Sequence, residues 1–184
     1  MAITIKSERE ISLMREAGKI LADVHNKLAE IIAPGITTLD IDRKGEELIR
    51  KAGCIPSCLN YEGYPASICV SVNDEVVHGI PTDSRRIEEG DIVSLDAGVI
   101  YEGYHSDAAR THGVGKISKE AEQLIAVTKQ SFFEGIKMAR PGNHLYDISN
   151  AIDDYVSGFG YGIVQDLVGH GIGTKLHEDS QVPN

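Results

Sequence analysis

The chain has 184 residues, with 18 basic and 28 acidic side chains, a formal net charge of −10 at pH 7. Hydrophobic residues make up 41% and charged residues 25%, proportions typical of a soluble globular domain with a sizeable core. The negative charge argues against binding nucleic acid or anionic membranes through bulk electrostatics, and no apolar run approaches the ~20 residues of a membrane span. Because the N-terminus shows no signal-peptide pattern, we expect a cytoplasmic protein with its three cysteines reduced.

Two helices are predicted first along the chain. Ser7 opens a capping-box pattern, and apolar residues then recur at helical spacing. Pro34 disfavours helical geometry at the residue before it, so this helix should stop there. A second helix is expected to begin near Thr37 or Thr38 and to end at Gly53.

Strand patterns follow the two helices. The runs "ASICVSV" (66–72) and "EVVHGI" (75–80) predict two strands joined across Asn73-Asp74, a turn signal. After a polar connection, "DIVSLDAGVIY" and "YHSDAARTHGV" flank Glu102-Gly103, which predicts a hairpin.

Two more helices are predicted at 118–139 and 144–156, before a glycine-rich tail of short strand and loop. They belong to an internal repeat, because "PGITTLDI" at 34–41 returns as "PGNHLYDI" at 141–148, an offset of 107 residues. Each copy runs helix, Pro-Gly, helix, glycine, then strands.

The repeat predicts one domain over 1–184, with a first half at about 7–113 and a partial second half at about 114–184. The same offset places the counterparts of Asp96 and Asp107 near positions 203 and 214. We therefore expect the second half to lack its last strands and to expose a sheet edge that favours association.

Asp96 and Asp107 are the candidate ion-binding pair. A hairpin turning about Glu102-Gly103 places Asp96 opposite Ala109 and puts both aspartates on one face, with His105 on the same face. Diagonal neighbours lie ~7–8 Å apart, and two converging carboxylates need a proton, a cation or water between them. Small and apolar neighbours argue against a generic solvated polar face, but spacing alone leaves both a polar face and a cation site open.

Three histidines are further candidates: His78 in "VVHGIP" and His170 in "GHGIG", both beside glycine, and His177 in "LHED". Mixed carboxylate and imidazole ligands suit Mn, Fe, Co or Zn, and a paired-metal site can activate water for hydrolysis. His25 and His144 are expected to be structural or exposed. No Ser-His-Asp order and no phosphate-binding glycine loop is evident.

Four stretches together resemble the type I methionine aminopeptidases, which have the pita-bread fold: "YEGYPASICVSVNDEVVHGIP", "SLDAG", "HSDAART" and "VGHGIGTKLHE". They occur in the family's order and span most of the chain. The resemblance implies an α+β fold of two pseudo-symmetric helix–helix–strand halves, the second incomplete here. It also implies removal of N-terminal methionine with two divalent metal ions, Co, Mn, Fe or Zn.

The resemblance assigns roles by motif position. Asp96 corresponds to the terminal carboxylate ligand of one metal, Asp107 to the carboxylate bridging both, and His170 to an imidazole ligand. His78 and His177 correspond to the histidines that contact substrate and stabilise the tetrahedral intermediate. Asn73 corresponds to part of a monovalent-cation site. Positions around the methionine side chain are Cys58, Tyr61, Tyr64, Cys69 and Leu176, where Leu176 replaces a frequent aromatic residue.

The family's two further glutamate ligands lie on strands beyond His177, outside residues 1–184, and Glu178 does not match either. We therefore expect weak metal binding and little activity from this polypeptide. Two accounts remain open: a truncated enzyme, or a natural short form that binds peptides or proteins without catalysis. A prolidase or aminopeptidase P fits less well, because "NDEVVHGIP" is not their pattern.

Partners implied by the resemblance are the N-termini of peptides and nascent proteins, with proximity to the ribosome. Neither a specific nucleic acid nor a membrane is expected as a partner. A complete protein is expected to be a monomer, whereas a truncated one is expected to associate through its uncovered edge.

Overall fold

The computed structural model describes residues 3–183. Its helices are α1 (Glu8–Ala29), α2 (Thr38–Lys51), α3 (Lys119–Ile136) and α4 (Leu145–Ser157). Its strands are β1 (Ile55–Pro56), β2 (Ile68–Val72), β3 (Ile92–Tyr101), β4 (Tyr104–Gly113), β5 (Gly169–Gly171) and β6 (Glu178–Val182). Among the described residues, no helix is long and apolar enough to cross a membrane.

Helix α1 begins with the predicted capping box. The Glu10 carboxylate accepts the Ser7 N–H at 2.7 Å, and the Ser7 hydroxyl accepts the Glu10 N–H at 3.4 Å. The helix ends at Ala29, earlier than Pro34 predicts, because the Ile31 N–H already bonds the Leu28 carbonyl in a tighter turn. Helix α2 begins with a second capping box, as the sequence predicts.

The first compact unit, residues 4–118 with 172–176, contains a four-stranded antiparallel sheet in which β3 pairs with β1, β2 and β4. The β3–β4 hairpin turns at Glu102 (φ 49°) and Gly103 (φ 83°), and both left-handed residues fit the two-residue turn predicted there. This turn fixes the register along ten paired positions from Ile92–Gly113 to Tyr101–Tyr104.

The core lies on one face of this sheet, against α1 and α2. Side chains alternate between faces along a strand, so the opposite face keeps the other half of each strand's residues. Buried core residues from the sheet are Ile68, Val70, Val72, Val93, Leu95, Ala97 and Val99, and those from the helices include Ala17, Leu21, Val24, Leu28, Ile41 and Ile49.

The second compact unit contains residues 119–171 and 177–183, in which α3 packs on α4 and β5 pairs antiparallel with β6. Local geometry recurs at the 107-residue offset. Thr37 and His144 are both N-cap residues, and Gly35 and Gly142 have φ of 100° and 95°.

The predicted strand at 75–80 is wrong, because this segment is an irregular loop. The Glu75 carboxylate accepts the Val72 N–H at 2.8 Å and the Glu75 N–H bonds the Val72 carbonyl, which closes the turn after β2. His78 then takes a left-handed conformation (φ 58°), which no strand allows. Apolar alternation predicted an extended strand here, and the local capping overrides it.

Candidate functional site

The face of the sheet opposite the helices carries the predicted carboxylate pair. Asp96 pairs with Ala109 and Asp107 pairs with Gly98, so the two aspartates are diagonal neighbours with side chains on the same face. Cys69 on β2 pairs with Asp96 and joins them on that face. Both aspartates are half-buried.

Two thiols and a phenol lie beside the carboxylates. The pKa of Cys58 is raised because its thiol donates to Cys69, because it is buried, and because Asp96 and Asp107 are close. The same hydrogen bond lowers the pKa of Cys69, which burial opposes. Burial raises the pKa of Tyr64. The cluster is therefore a set of soft, largely uncharged groups next to two carboxylates.

A buried aspartate holds the start of β2. Asp42 on α2 accepts the N–H groups of Ser67 and Ile68, each at 2.8 Å. Burial raises the pKa of Asp42, and these two hydrogen bonds partly oppose that rise. Since Cys69 follows directly, the contact fixes where β2 presents its thiol.

The loop carrying His78 is pinned to β2 through the next residue. A Cβ on Gly79 would lie 2.2 Å from the Val70 carbonyl oxygen, so only glycine fits there. The Gly79 carbonyl accepts the Val70 N–H at 3.0 Å and the Tyr64 hydroxyl at 2.8 Å. His78 itself is exposed, on a backbone that its neighbours hold firmly.

Tyr61 and Asn73, two other predicted site residues, lie in turns of the same unit. Tyr61 is half-buried between two left-handed residues, Asn60 and Glu62, and burial raises its pKa. The Asn73 side chain donates to the Asp91 carboxylate at 2.8 Å and accepts a backbone N–H at 3.0 Å. That amide therefore supports the start of β3.

His170 and His177 lie together in the second unit, with ring centroids 4.0 Å apart and planes inclined by 48°. His170 is in β5, and its Nδ1 lies 3.0 Å from the Gly171 carbonyl oxygen. A ring N–H donated to a carbonyl is the usual support for a metal-binding histidine, because it directs the Nε2 lone pair to the ion. Leu176, in the segment 172–176 of the first unit, is buried.

The residue types within each unit are ones that transition metals accept. Asp96 and Asp107 lie on adjacent strands of the first unit, and the Nδ1 of His170 in the second unit lies near a backbone carbonyl. Within residues 3–183 no group of three or more His, Cys, Asp or Glu side chains is placed to hold an ion.

Two surface cavities, of about 370 and 580 Å³, border the first turns of α1. Glu10 and Tyr104 line the smaller cavity, where the Tyr104 hydroxyl donates to the Glu10 carboxylate at 2.9 Å. Met14 and Ile172 line the larger cavity. No predicted site residue lines either cavity, so neither identifies the site.

Sequence reasoning missed two contacts on the strands that carry the site. His25, expected to be structural or exposed, is fully buried on α1 and bonds the Ala108 carbonyl at 2.9 Å. Ser57 is buried and bonds His105 at 3.0 Å. Both contacts join segments far apart in sequence, and no local pattern indicates them.

The chain as a whole is similar to known proteins. The metallopeptidase family M24 model matches residues 12–184. A methionine aminopeptidase from Clostridium acetobutylicum is 54% identical over 182 residues, 99% of this chain and 73% of that protein. A crystal structure of methionine aminopeptidase from Thermotoga maritima matches with a TM-score of 0.97 and 41% identity, covering 100% of this chain and 74% of that one. An Xaa-Pro dipeptidase from Bacillus anthracis matches with a TM-score of 0.83 and 28% identity, over 97% and 49% of the respective chains.

Proposed function

The chain belongs to metallopeptidase family M24, and within it to the type I methionine aminopeptidases, and we propose that its site removes the N-terminal methionine from peptides and nascent proteins. Its fold is the α+β pita-bread fold, as the resemblance predicted. The observation that carries the proposal is the register of β3 and β4, which puts Asp96 and Asp107 on one face.

Asp96, Asp107 and His170 would be ligands of divalent metal ions, as the resemblance to the family implies. Such ions would act as Lewis acids on the scissile carbonyl and provide the hydrolytic nucleophile near neutral pH. The ligand types suit Co, Mn, Fe or Zn alike.

His78 and His177 would contact the substrate. Each imidazole would donate a hydrogen bond to the substrate carbonyl oxygen as negative charge develops on it. For His78, the contacts of Gly79 with Val70 and Tyr64 support this role, because they fix the backbone that presents the ring.

The methionine side chain of the substrate would be surrounded by Cys58, Cys69, Tyr61, Tyr64 and Leu176. Their polarisable sulfur atoms, aromatic rings and apolar groups suit a thioether better than a charged side chain. The raised pKa values of Cys58 and Tyr64 support this role, because both groups stay neutral near pH 7. Asn73 would contribute to a monovalent-cation site through its backbone, since its side chain already bonds Asp91.

Nascent chains as substrates would place this activity in the cytoplasm, near the ribosome. We further propose that the polypeptide of residues 1–184, assayed alone, binds metal weakly and turns over slowly. Asp96, Asp107 and His170 are the ligands it contains, whereas the resemblance implies two additional glutamates. The chain spans 73% of the length of a curated relative.

The test compares this polypeptide with the product of its whole reading frame. Each is incubated with Co²⁺ or Mn²⁺ and the peptides Met-Ala-Ser and Leu-Ala-Ser, and the free amino acids are quantified. We expect the whole product to release methionine but not leucine, to lose this activity in His78→Ala, and to exceed the 184-residue polypeptide. No methionine release from either sample would contradict the proposed activity.

The second candidate is a non-catalytic short form that binds peptides through the same pocket. It predicts that the reading frame ends after Asn184, and that Met-Ala-Ser binds without being cleaved.

A further inference from the structure

A buried hydrogen bond joins the carboxylate-bearing strand to the segment before Cys58. His105 lies on β4 two residues before Asp107, on the same face, and only 8% of its surface is exposed. Its Nδ1 lies 3.0 Å from the hydroxyl oxygen of Ser57, which is 4% exposed. The two residues are 48 positions apart in sequence.

Ser57 has little freedom apart from the direction of its hydroxyl. Its N–H bonds the Gly98 carbonyl at 2.9 Å, which continues the pairing of β1 with β3. A Cβ on Gly98 would lie 2.7 Å from the Ser57 Cβ, so the two backbones approach as closely as glycine permits. The His105 contact joins Ser57 to β4 as well.

Cys58 follows Ser57 directly, so the position of Ser57 determines where Cys58 lies. It contacts Cys69 and lies within the electrostatic influence of Asp96 and Asp107. A small rotation at Ser57 would therefore move the Cys58 side chain relative to the carboxylate pair.

The backbone of His105 makes a separate contact. Its N–H donates to the Gly173 carbonyl at 2.8 Å, which holds the segment leading to Leu176. Substituting the imidazole leaves this bond possible. A side-chain variant of His105 therefore changes the contact with Ser57 and leaves the backbone bond to Gly173 in place.

We propose that His105 is a positioning residue that acts through Ser57 to hold Cys58 against the Asp96–Asp107 face. Two buried polar groups add little net stability over an apolar pair, whereas their hydrogen bond fixes orientation. The consequence for methionine binding depends on the proposed function, but the positioning of Cys58 does not.

The experiment uses matched amide variants. Asparagine can place its amide nitrogen near the position of Nδ1, and glutamine near that of Nε2, so His105→Asn keeps the bond to Ser57 and His105→Gln loses it. Ser57→Thr keeps the hydroxyl and Ser57→Ala removes it. Alkylation of each cysteine by iodoacetamide is followed by mass spectrometry, with Cys54 as the internal reference because it is buried in the core.

We expect Cys58 to react roughly three-fold faster or more in His105→Gln and Ser57→Ala, because local opening governs access to half-buried groups. Cys54 should not change, and His105→Asn and Ser57→Thr should restore the wild-type rate. A general loosening of the fold would accelerate Cys54 as well. An unchanged Cys58 rate, or equal acceleration of Cys54, overturns the proposal.

The kinetic arm uses the product of the whole reading frame with Met-Ala-Ser. In His105→Gln we expect the KM to rise with a smaller change in kcat, because the pocket wall shifts while the metal ligands stay. If no variant or wild-type protein releases methionine, the proposed function fails, and the alkylation result still decides whether His105 positions Cys58.

Discussion

His25 on α1 donates a hydrogen bond from its Nε2–H to the carbonyl oxygen of Ala108 on β4, across 2.9 Å. Ala108 immediately follows Asp107, so this contact ties the helix to the strand that bears the carboxylate. Within the described residues the His25 Nδ1 has no partner, and no atom of the residue is exposed. The imidazole is therefore neutral in the folded protein.

This neutrality predicts an acid-labile fold. Burial, the largest cause, lowers the pKa of His25 from 6.5 to about 4. Between these values the unfolded chain binds a proton that the folded chain does not, so stability is full above pH 6.5 and falls as the pH drops towards 4. The loss should reach about 2 kcal/mol at pH 5 and about 3 kcal/mol below pH 4. Burial also lowers the pKa of His112, so this residue adds to the loss of stability at acid pH.

His25→Leu should remove most of this pH dependence. At pH 7.5 the variant should be about 1 kcal/mol less stable than wild type, because the Ala108 carbonyl loses its partner. At pH 5 it should be the more stable protein. Urea unfolding at both pH values measures the stability of each protein, and His144→Asn is the control for an exposed histidine. Parallel pH profiles of stability for wild type and His25→Leu would show that His25 does not cause the acid lability.

Gly45 should resist substitution although it lies inside a helix. A Cβ there would lie 2.4 Å from the Ile68 Cγ1, where α2 packs against β2. Overpacking of this kind costs ~1–3 kcal/mol, more than the ~1 kcal/mol that alanine gains over glycine in a helix. Gly45→Ala should therefore destabilise the protein.

Gly18 provides the matched control for Gly45, because its added Cβ would meet the Ser106 hydroxyl at an ordinary 3.7 Å. Gly18→Ala should stabilise by up to ~1 kcal/mol through helix propensity alone. Urea denaturation measures the free energy of unfolding of both variants. Equal changes in Gly45→Ala and Gly18→Ala would show that the close approach of α2 to β2 is unimportant.

Gly79→Ala should release the His78 loop. Its Cβ would lie 2.2 Å from a backbone oxygen of β2, so the loop must move and lose its bonds to Val70 and Tyr64. Amide exchange at Val70 should accelerate, and peptide turnover should fall, because His78 loses its support. Gly162→Ala, where nothing lies within 4 Å, is the neutral control. Unchanged exchange at Val70 would show that the loop is held by other contacts.

The sequence predicted the hairpin and its register because two physical rules act locally there. A two-residue turn fixes which residues pair, and side-chain alternation then decides the face of Asp96 and Asp107. The strand predicted at 75–80 is wrong because alternation of apolar residues carries no information about Glu75 capping the end of β2. The contacts of His25 and Ser57 could not be predicted from the sequence for a different reason. They depend on which helix or strand lies against β4, and that is settled by packing.

The most direct test of the account is Mn²⁺ binding to the product of the whole reading frame, followed through the electron paramagnetic resonance signal of free Mn²⁺. Asp107→Asn should weaken binding about ten-fold or more, since even residues that only support metal ligands change affinity by 10–100-fold. Asp83→Asn, an exposed aspartate in the connection before β3, should bind as the wild type does. Equal Mn²⁺ affinity in Asp107→Asn and wild type would contradict the assignment of the Asp96–Asp107 face as the metal site.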